Sequence, residues 1–137
     1  MASGVEYIDP KNTAPAQGLY SHVGVAPAGK TLFIAGQLSV ARSGEIVGVD
    51  DFDAQFHQVF ANLGDVLSGM GLGFRNVVKF TTLFTRASDI ESFMRLRAEA
   101  FPGLFGGTKY PPNTILVIDR LVKPEFLIEI EAVASAE

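Results

Sequence analysis

Hydrophobic residues recur at intervals of three and four positions between Asp51 and Met70, which is the spacing of one face of an α-helix. The face is made by Phe52, Phe56, Val59, Phe60, Leu63, Val66, Leu67 and Met70. Asp50 or Asp51 can accept a hydrogen bond from the first-turn amides. The pattern therefore predicts a helix over residues 51–70. His57 lies off the hydrophobic face and is interpreted as an exposed helix residue.

A second helix is predicted to begin at Ser88. Glu91 follows three positions later, and this spacing is typical of a capping box, in which two side chains satisfy each other's backbone amides. Phe93, Met94 and Phe101 recur at helical spacing after it. The Gly- and Pro-rich sequence PGLFGGTKYPP, residues 102–112, is predicted to be a loop.

Segments rich in β-branched and alternating hydrophobic residues predict the strands. They cover residues 21–25, 31–40, 45–49, 76–85 and two segments between 110 and 134. The first three are joined by short turns, which indicates an antiparallel meander, and residues 1–15 are predicted to form an extended arm. The strand at 76–85 is hydrophobic on both faces and is predicted to be central in the sheet. Together the elements predict a single α+β domain, residues 1–137, with a mixed sheet.

Two helices can cover only one face of such a sheet. In the last strand, Phe126, Ile128 and Ile130 share a face that suits the core, because strand side chains alternate. The other face of the sheet carries apolar and polar side chains together: Val77, Lys79, Thr81, Leu83, Leu127, Glu129, Glu131 and Val133. A face this apolar is not expected to remain in water, so homo-oligomerisation through it is predicted.

Composition narrows the functional classes. The chain of 137 residues has a net charge of -4 and no Lys/Arg cluster, so binding to nucleic acid or to anionic membrane surfaces is not expected. It has no cysteine, which excludes disulfides, thiolate catalysis and Cys-ligated zinc. No hydrophobic run approaches the roughly 20 residues of a membrane-spanning helix. The sequence MASGVEYIDP lacks signal-peptide regions, and a cytoplasmic location is expected.

Several segments in a fixed order give the chain a family resemblance. They are APAQGLYSHVG, FIAGQL, the turn at Gly44, the helix around Asn62, VVKFTTLFT and IEIEAVA. In this order the chain resembles the Rid family, the YjgF-type reactive intermediate deaminases. The resemblance implies a chorismate-mutase-like fold and a homotrimer with clefts between subunits. It also implies hydrolysis of reactive enamines and imines to 2-keto acids and ammonia, with no metal or organic cofactor.

The resemblance also implies a set of site residues. Glu129 matches the family's water-positioning glutamate, and Tyr20 matches a pocket tyrosine. Gly36 and Gln37 match the strand that lines the cleft. Ile115 matches a position whose backbone contacts substrate. Three of these positions have alternative interpretations: Glu129 as a solvated sheet residue, Tyr20 as a packing residue, and Gly36 as a close approach of another backbone.

The chain departs from the family pattern at two positions. Asn113 stands where active deaminases carry the arginine that binds the substrate carboxylate, and Ala35 stands where many members have serine. Losing a charge-assisted hydrogen bond weakens binding by about 1.5–3 kcal/mol. Arg95, on the second predicted helix, is a candidate to compensate, with an exposed helix arginine as the alternative.

Three functions follow from these residues. The first is a Rid-type hydrolase whose specificity is shifted by Asn113 toward an enamine, imine or related small metabolite. The second is a non-catalytic trimeric module that binds a small metabolite or acts as a chaperone-like surface. The third, endoribonuclease activity, is the least favoured because the chain is acidic and has no basic groove.

Overall fold

The computed structural model describes residues 4–136, which form six strands and two helices. In chain order the elements are β1 (Glu6–Ile8), β2 (Val23–Val25), β3 (Lys30–Gln37), α1 (Phe52–Gly69), β4 (Val77–Phe84), α2 (Ile90–Phe105), β5 (Asn113–Val117) and β6 (Ile128–Ala136). The first three residues of the predicted N-terminal arm lie outside the described part of the chain.

The main sheet has four strands in the order β3-β6-β4-β5. β6 is antiparallel to both of its neighbours, whereas β4 and β5 are parallel. The sheet is therefore mixed, and β4 is central, as predicted. Both helices pack on one face of the sheet through a single hydrophobic core. The predicted α+β fold is thus confirmed.

Phenylalanine rings join the two helices to the sheet. Phe60 of α1 lies 5.6 Å from Phe101 of α2 and 6.0 Å from Phe80 of β4, measured between ring centroids, and both pairs meet edge to face. Phe93 of α2 meets Phe84 of β4 in the same way at 5.1 Å. Edge-to-face aromatic pairs contribute about 0.5–1.5 kcal/mol each beyond the area they bury. This packing holds α2 firmly over the β4 and β5 side of the sheet.

Two residues predicted to face away from the helices are buried instead. The β4–β6 register shifts between Val77 and Lys79, and Val77 is fully buried in the core. A register shift of this kind turns the side chains before it to the opposite face. Leu127 precedes the first paired residue of β6 and is also buried in the core. The face away from the helices is thus less apolar than predicted.

The N-terminal strands do not form the predicted meander. β2 pairs with β1, a strand that the sequence analysis did not predict, and β3 pairs with β6 instead of with its neighbours in the chain. The predicted strand at 45–49 is reduced to a bridge between Val40 and Ile46. The long β6 pairs with six residues of β3, more than a short returning segment can match.

The ends of α2 also differ from the prediction. The predicted capping box of Ser88 and Glu91 does not form; a 3-10 turn, Ala87–Asp89, leads into the helix. Arg86 Nε holds this turn by donating to Asp89 Oδ2 at 2.8 Å. At the other end, α2 continues through Pro102 to Phe105, because Phe101 and Phe105 are both packed in the core. The loop predicted for residues 102–112 is correspondingly shorter.

Two side-chain amides of α1, of buried Gln55 and half-buried Asn62, fix the loops that flank the sheet. Gln55 Nε2 donates to the carbonyls of Gly48 and Glu125 at 3.0 and 2.9 Å. Its Oε1 accepts from the amide of Leu127 at 2.9 Å, which sets the start of β6. Asn62 Nδ2 donates to the carbonyl of Leu38 at 2.8 Å, just after β3 ends. These bonds fix the ends of β3 and β6, the two strands that carry the predicted site residues Gly36, Gln37 and Glu129.

Candidate functional site

An open cavity of about 570 Å³ lies between the N-terminal segment, α2 and β5. Its walls combine apolar and polar side chains: Gln17, Tyr20, Ile90, Met94, Arg97, Asn113, Thr114 and Ile115. We call it the α2 cavity. Three predicted site residues, Tyr20, Asn113 and Ile115, line this cavity together.

Arg97 of α2 is the charged residue in the wall of the α2 cavity. Its side chain is only 1% exposed, and its Nη2 lies 3.0 Å from the sulfur of Met94. The guanidinium carbon lies 5.0 Å from the centroid of the Phe93 ring, a cation–π distance. Nε and Nη1 are buried without an acceptor. Burial without a counter-charge lowers the pKa of Arg97 to about 10.

Asn113 begins the edge strand β5 and faces the helices. It pairs with Phe80 across the sheet, and Phe80 is a core residue beneath α2. The Asn113 Oδ1 atom accepts from Thr82 Oγ1 at 2.9 Å. Its Nδ2 is buried and has no acceptor. The preceding carbonyl, of Pro112, accepts from the amide of Phe80 at 2.8 Å, so the position of Asn113 is fixed by the backbone.

Tyr20 reaches the α2 cavity from the N-terminal segment. Its hydroxyl accepts from the amide of Gln17 at 3.1 Å, and its ring meets the ring of His22 edge to face at 6.1 Å. Gly18, which lies between Gln17 and Tyr20 in the chain, packs against α2. A Cβ at this position would collide with Arg97 Nη2 and with the methyl carbon of Met94. Glycine therefore allows the segment to lie directly over the guanidinium.

Glu129 and Gly36 form a second polar region, on the other side of the sheet. The half-buried carboxyl of Glu129 lies across Gly36, where an added Cβ would be 2.5 Å from Oε2. The close approach at Gly36 is thus made by a side chain and not by another backbone. Burial raises the pKa of Glu129, and the neighbouring charge of Glu131 adds to the rise. Gln37 is half-buried and donates from Nε2 to the carbonyl of Ala35 at 3.1 Å.

The strand register separates these two regions. Asn113 and Ile115 pair with Phe80 and Thr82, whose side chains are buried beneath the helices. Glu129 pairs with Leu83, one position away in β4, so its side chain points to the opposite face. We call that face the open face; it also carries Phe33, Lys79, Thr81, Leu116, Glu131 and Val133. Within one chain the predicted site residues therefore form two groups.

Arg95 does not line the α2 cavity, and its predicted compensating role is corrected in favour of the exposed alternative. Its Nη2 lies 2.9 Å from Asp53 Oδ2, and its Nη1 lies 3.7 Å from Glu99 Oε2. The Arg95 side chain is 52% exposed. Residues two apart on a helix point about 200° apart, so the arginine that enters the cavity is Arg97. The sequence held a signal for it, because Arg97 falls on the hydrophobic face with Phe93 and Met94.

Clusters of metal-ligating residues and membrane-spanning helices are both absent from residues 4–136. No group of three or more His, Asp or Glu side chains there could hold a metal ion. Neither helix in this part of the chain is long and apolar enough to cross a membrane.

Known proteins resemble this chain over nearly its whole length. The model of the family described as Endoribonuclease L-PSP matches residues 11–136. A RutC family protein of Pyrococcus horikoshii is 35% identical over 133 residues, which cover 96% of this chain and 98% of that protein. A protein of Rattus norvegicus named 2-iminobutanoate/2-iminopropanoate deaminase is 30% identical, over 98% of this chain and 93% of its own.

A solved structure agrees in fold. The Rid-family protein YyfB of Yersinia pestis, a protein of unknown function, superposes with a TM-score of 0.84 and 32% sequence identity. The match covers 95% of this chain and 97% of that protein. The family resemblance predicted from the sequence is thus confirmed at the level of sequence and of structure. The chain belongs to the Rid family, also called the YjgF family, to which the Endoribonuclease L-PSP model corresponds.

Proposed function

We propose that this protein is a hydrolase of a small enamine, imine or related metabolite. Water adds to the carbon of the C=N bond, the C–N bond then breaks, and the products are a C=O group and ammonia. The observation that carries the proposal is the half-buried carboxyl of Glu129, which is packed on Gly36 and has a raised pKa. Relatives named as deaminases of 2-iminobutanoate and 2-iminopropanoate support the same reaction.

Glu129 suits both proton transfers of this reaction. A carboxylate with a raised pKa is a stronger base than an ordinary glutamate, so it takes a proton more readily from the attacking water. The same carboxyl, once protonated, gives a proton to the departing nitrogen. Gly36 leaves the space that Glu129 occupies, and the bonds of Gln55 and Asn62 fix the strands on both sides.

The site is proposed to lie between subunits of a homotrimer. Glu129 and Asn113 point to opposite faces of one sheet, so a shared site requires Glu129 and Gly36 from one protomer and the α2 cavity from its neighbour. Apolar side chains on the open face support such contacts: Phe33 is 82% exposed and Leu116 is 43% exposed.

Asn113 shifts the specificity of the proposed reaction. An asparagine donates a neutral hydrogen bond, whereas arginine donates two charged ones in a fork that matches a carboxylate. The substrate is therefore held by a different set of donors than in relatives with arginine at this position.

The test uses freshly formed imino acids. An amino-acid oxidase supplies 2-imino acids, and semicarbazide traps those that escape hydrolysis. We expect the wild type to reduce trapping and Glu129→Gln to lower kcat by about 10²–10⁴-fold, the range for loss of a general acid–base group. Glu125→Gln makes the same change at an exposed position and should leave the rate unchanged. Wild-type activity that survives in Glu129→Gln would refute the role of Glu129.

A non-catalytic metabolite-binding module is the second candidate function. Asn113 and Ala35 favour it, because both depart from the pattern of active deaminases. A wild type that binds small ligands but leaves trapping by semicarbazide unchanged for every imino acid would support this function. Endoribonuclease activity is the least favoured, since the net charge is -4; RNA cleavage that is lost in Glu129→Gln would reverse this order.

A further inference from the structure

We propose that Arg97 and Asn113 form the anion-binding end of the α2 cavity and hold the carboxylate of a small organic ligand. This site belongs to the cavity assigned above to the substrate, so it rests on the proposed function for its place in a reaction. The atoms that would bind the anion differ from those that would carry out the hydrolysis. The proposed hydrolysis depends on Glu129, whereas anion binding depends on Arg97, and the two are measured separately.

Unpaired donors converge on this end of the cavity. Arg97 Nε, Arg97 Nη1 and Asn113 Nδ2 are buried, have no acceptor, and belong to two residues that line the same cavity. Buried donors in proteins are nearly always paired, and a buried charge without a partner is strongly unfavourable. Three unpaired donors on two residues around one cavity indicate that the missing partner is an acceptor that enters with a ligand.

Within residues 4–136, no carboxylate forms an ion pair with Arg97. Its neighbours are the sulfur of Met94, the ring of Phe93 and the backbone at Gly18. Two arginines that precede it in the chain differ in this respect: Arg95 pairs with Asp53, and Arg86 pairs with Asp89. An arginine kept for stability alone would be expected to have such a partner. Arg97 instead presents its charge to the cavity.

The remaining walls define the class of ligand. Ile90, Met94 and Ile115 supply apolar surface next to the donors. The guanidinium of Arg97 is charged and has unpaired donors on Nε and Nη1, so it suits an anion such as a carboxylate. The cavity therefore fits a small carboxylate with a short apolar chain, such as a 2-oxo or 2-imino acid. An inorganic anion would satisfy the donors but leave the apolar walls empty.

Binding measurements on the intact protein test this site. The probes are 2-oxobutanoate, the neutral ketone 2-butanone and inorganic phosphate, each titrated by calorimetry. We expect 2-oxobutanoate to bind best, and Arg97→Met to weaken its binding by about tenfold or more, because a charge-assisted hydrogen bond is lost. The matched control is Arg95→Met, which removes an exposed arginine on the same helix and should leave binding unchanged. Equal binding of 2-oxobutanoate by Arg97→Met and wild type would overturn the proposal.

The thermal stability of the ligand-free protein separates binding from a structural role. Since Arg97→Met removes a buried unpaired charge and keeps an unbranched side chain, the variant should melt at the same temperature or higher. It should also lose the rise in melting temperature that 2-oxobutanoate gives the wild type. A large drop in its melting temperature would make Arg97 a structural residue and count against the proposal.

The wild type alone provides a further readout. The Nε–H resonance of Arg97, assigned by its absence in Arg97→Lys, should shift in the NMR spectrum on addition of 2-oxobutanoate and stay unchanged with 2-butanone. An unmoved resonance at saturating 2-oxobutanoate would contradict the site. Glu129→Gln should keep the shift while losing hydrolysis, so the failure of the proposed reaction and the failure of the anion site are distinguishable.

Discussion

The two faces of the main sheet bury ionisable groups of opposite kinds, a carboxyl on one face and a guanidinium on the other. On the open face, the carboxyl of Glu129 is half-buried, and its raised pKa favours the neutral form. In the α2 cavity, Arg97 is almost fully buried and its pKa falls only to about 10, so it stays charged at neutral pH. One region is thus suited to moving protons and the other to holding an anion, and the sheet keeps them apart within a chain.

This separation explains why neither region is a complete site. A hydrolase of imino acids needs a base near the carbon that is attacked and a cation at the carboxylate. On the open face the cation Lys79 pairs with Val133, four positions along β6 from Glu129, whereas the α2 cavity has Arg97 but no carboxylate in its walls. Two copies of the chain can combine what one copy separates.

After Glu129→Gln, the largest effect on the open face is expected at Gly36. Gly36→Ala puts a methyl group where the Glu129 carboxyl lies, so the carboxyl must move. A displacement of about 1 Å in a catalytic group lowers rates by roughly 10²-fold, and we expect a loss of this order in kcat for imine hydrolysis, measured by semicarbazide competition. Binding of 2-oxobutanoate should change much less.

Gly103→Ala is the matched control for this substitution. An added Cβ at Gly103 meets no atom within 4 Å, and alanine favours the helix in which it lies. We expect full activity in Gly103→Ala. If Gly36→Ala were also fully active, the position of the Glu129 carboxyl would not matter for the reaction.

A smaller effect is expected in the pH dependence. The general base Glu129 must be ionised to accept a proton, so activity should fall as the pH drops through its raised pKa. Glu131→Gln removes the second cause of the rise and should move this acidic limb to lower pH. The readout is the pH profile of kcat/KM; an unchanged limb in Glu131→Gln would show that Glu131 does not act on Glu129.

The same pKa predicts the sign of a stability effect. Because the folded state holds the proton of Glu129 more tightly than the unfolded state, folding is favoured at pH values below the ordinary pKa of a glutamate. This contribution is lost as the pH rises through the raised pKa. The stability of the wild type relative to Glu129→Gln should therefore decrease over that window.

The sequence predicts the long elements well because their patterns are repeated many times. α1 is found within one residue of its predicted bounds at each end. Eight hydrophobic positions at helical spacing and the capping residue Asp51 all predict these bounds. The helix through Pro102 and the shift at Val77 depend on tertiary packing, which outweighs the local signals of proline and alternation. β1 has only three residues, too few to show the alternation that predicts a strand.

The site was predictable in its residue types but not in its arrangement. Family matching finds Glu129, Tyr20 and Asn113, yet the register that sends Glu129 and Asn113 to opposite faces depends on which strands pair. Family matching points to Arg95, whereas Arg97, two positions further along α2, is the arginine that lines the cavity. Arg97 lies among hydrophobic positions, which is unusual for an arginine, and that contrast is the signal that identifies it.

The most direct test of a site shared between protomers is complementation. Glu129→Gln and Arg97→Met are each expected to be weakly active alone. When the two are unfolded together and refolded, random mixing leaves about a quarter of the interfaces with Glu129 from one protomer and Arg97 from its neighbour. We predict recovery of about a quarter of wild-type hydrolysis, with mixed trimers verified by native mass spectrometry. Mixed trimers with no more activity than either variant alone would contradict the account.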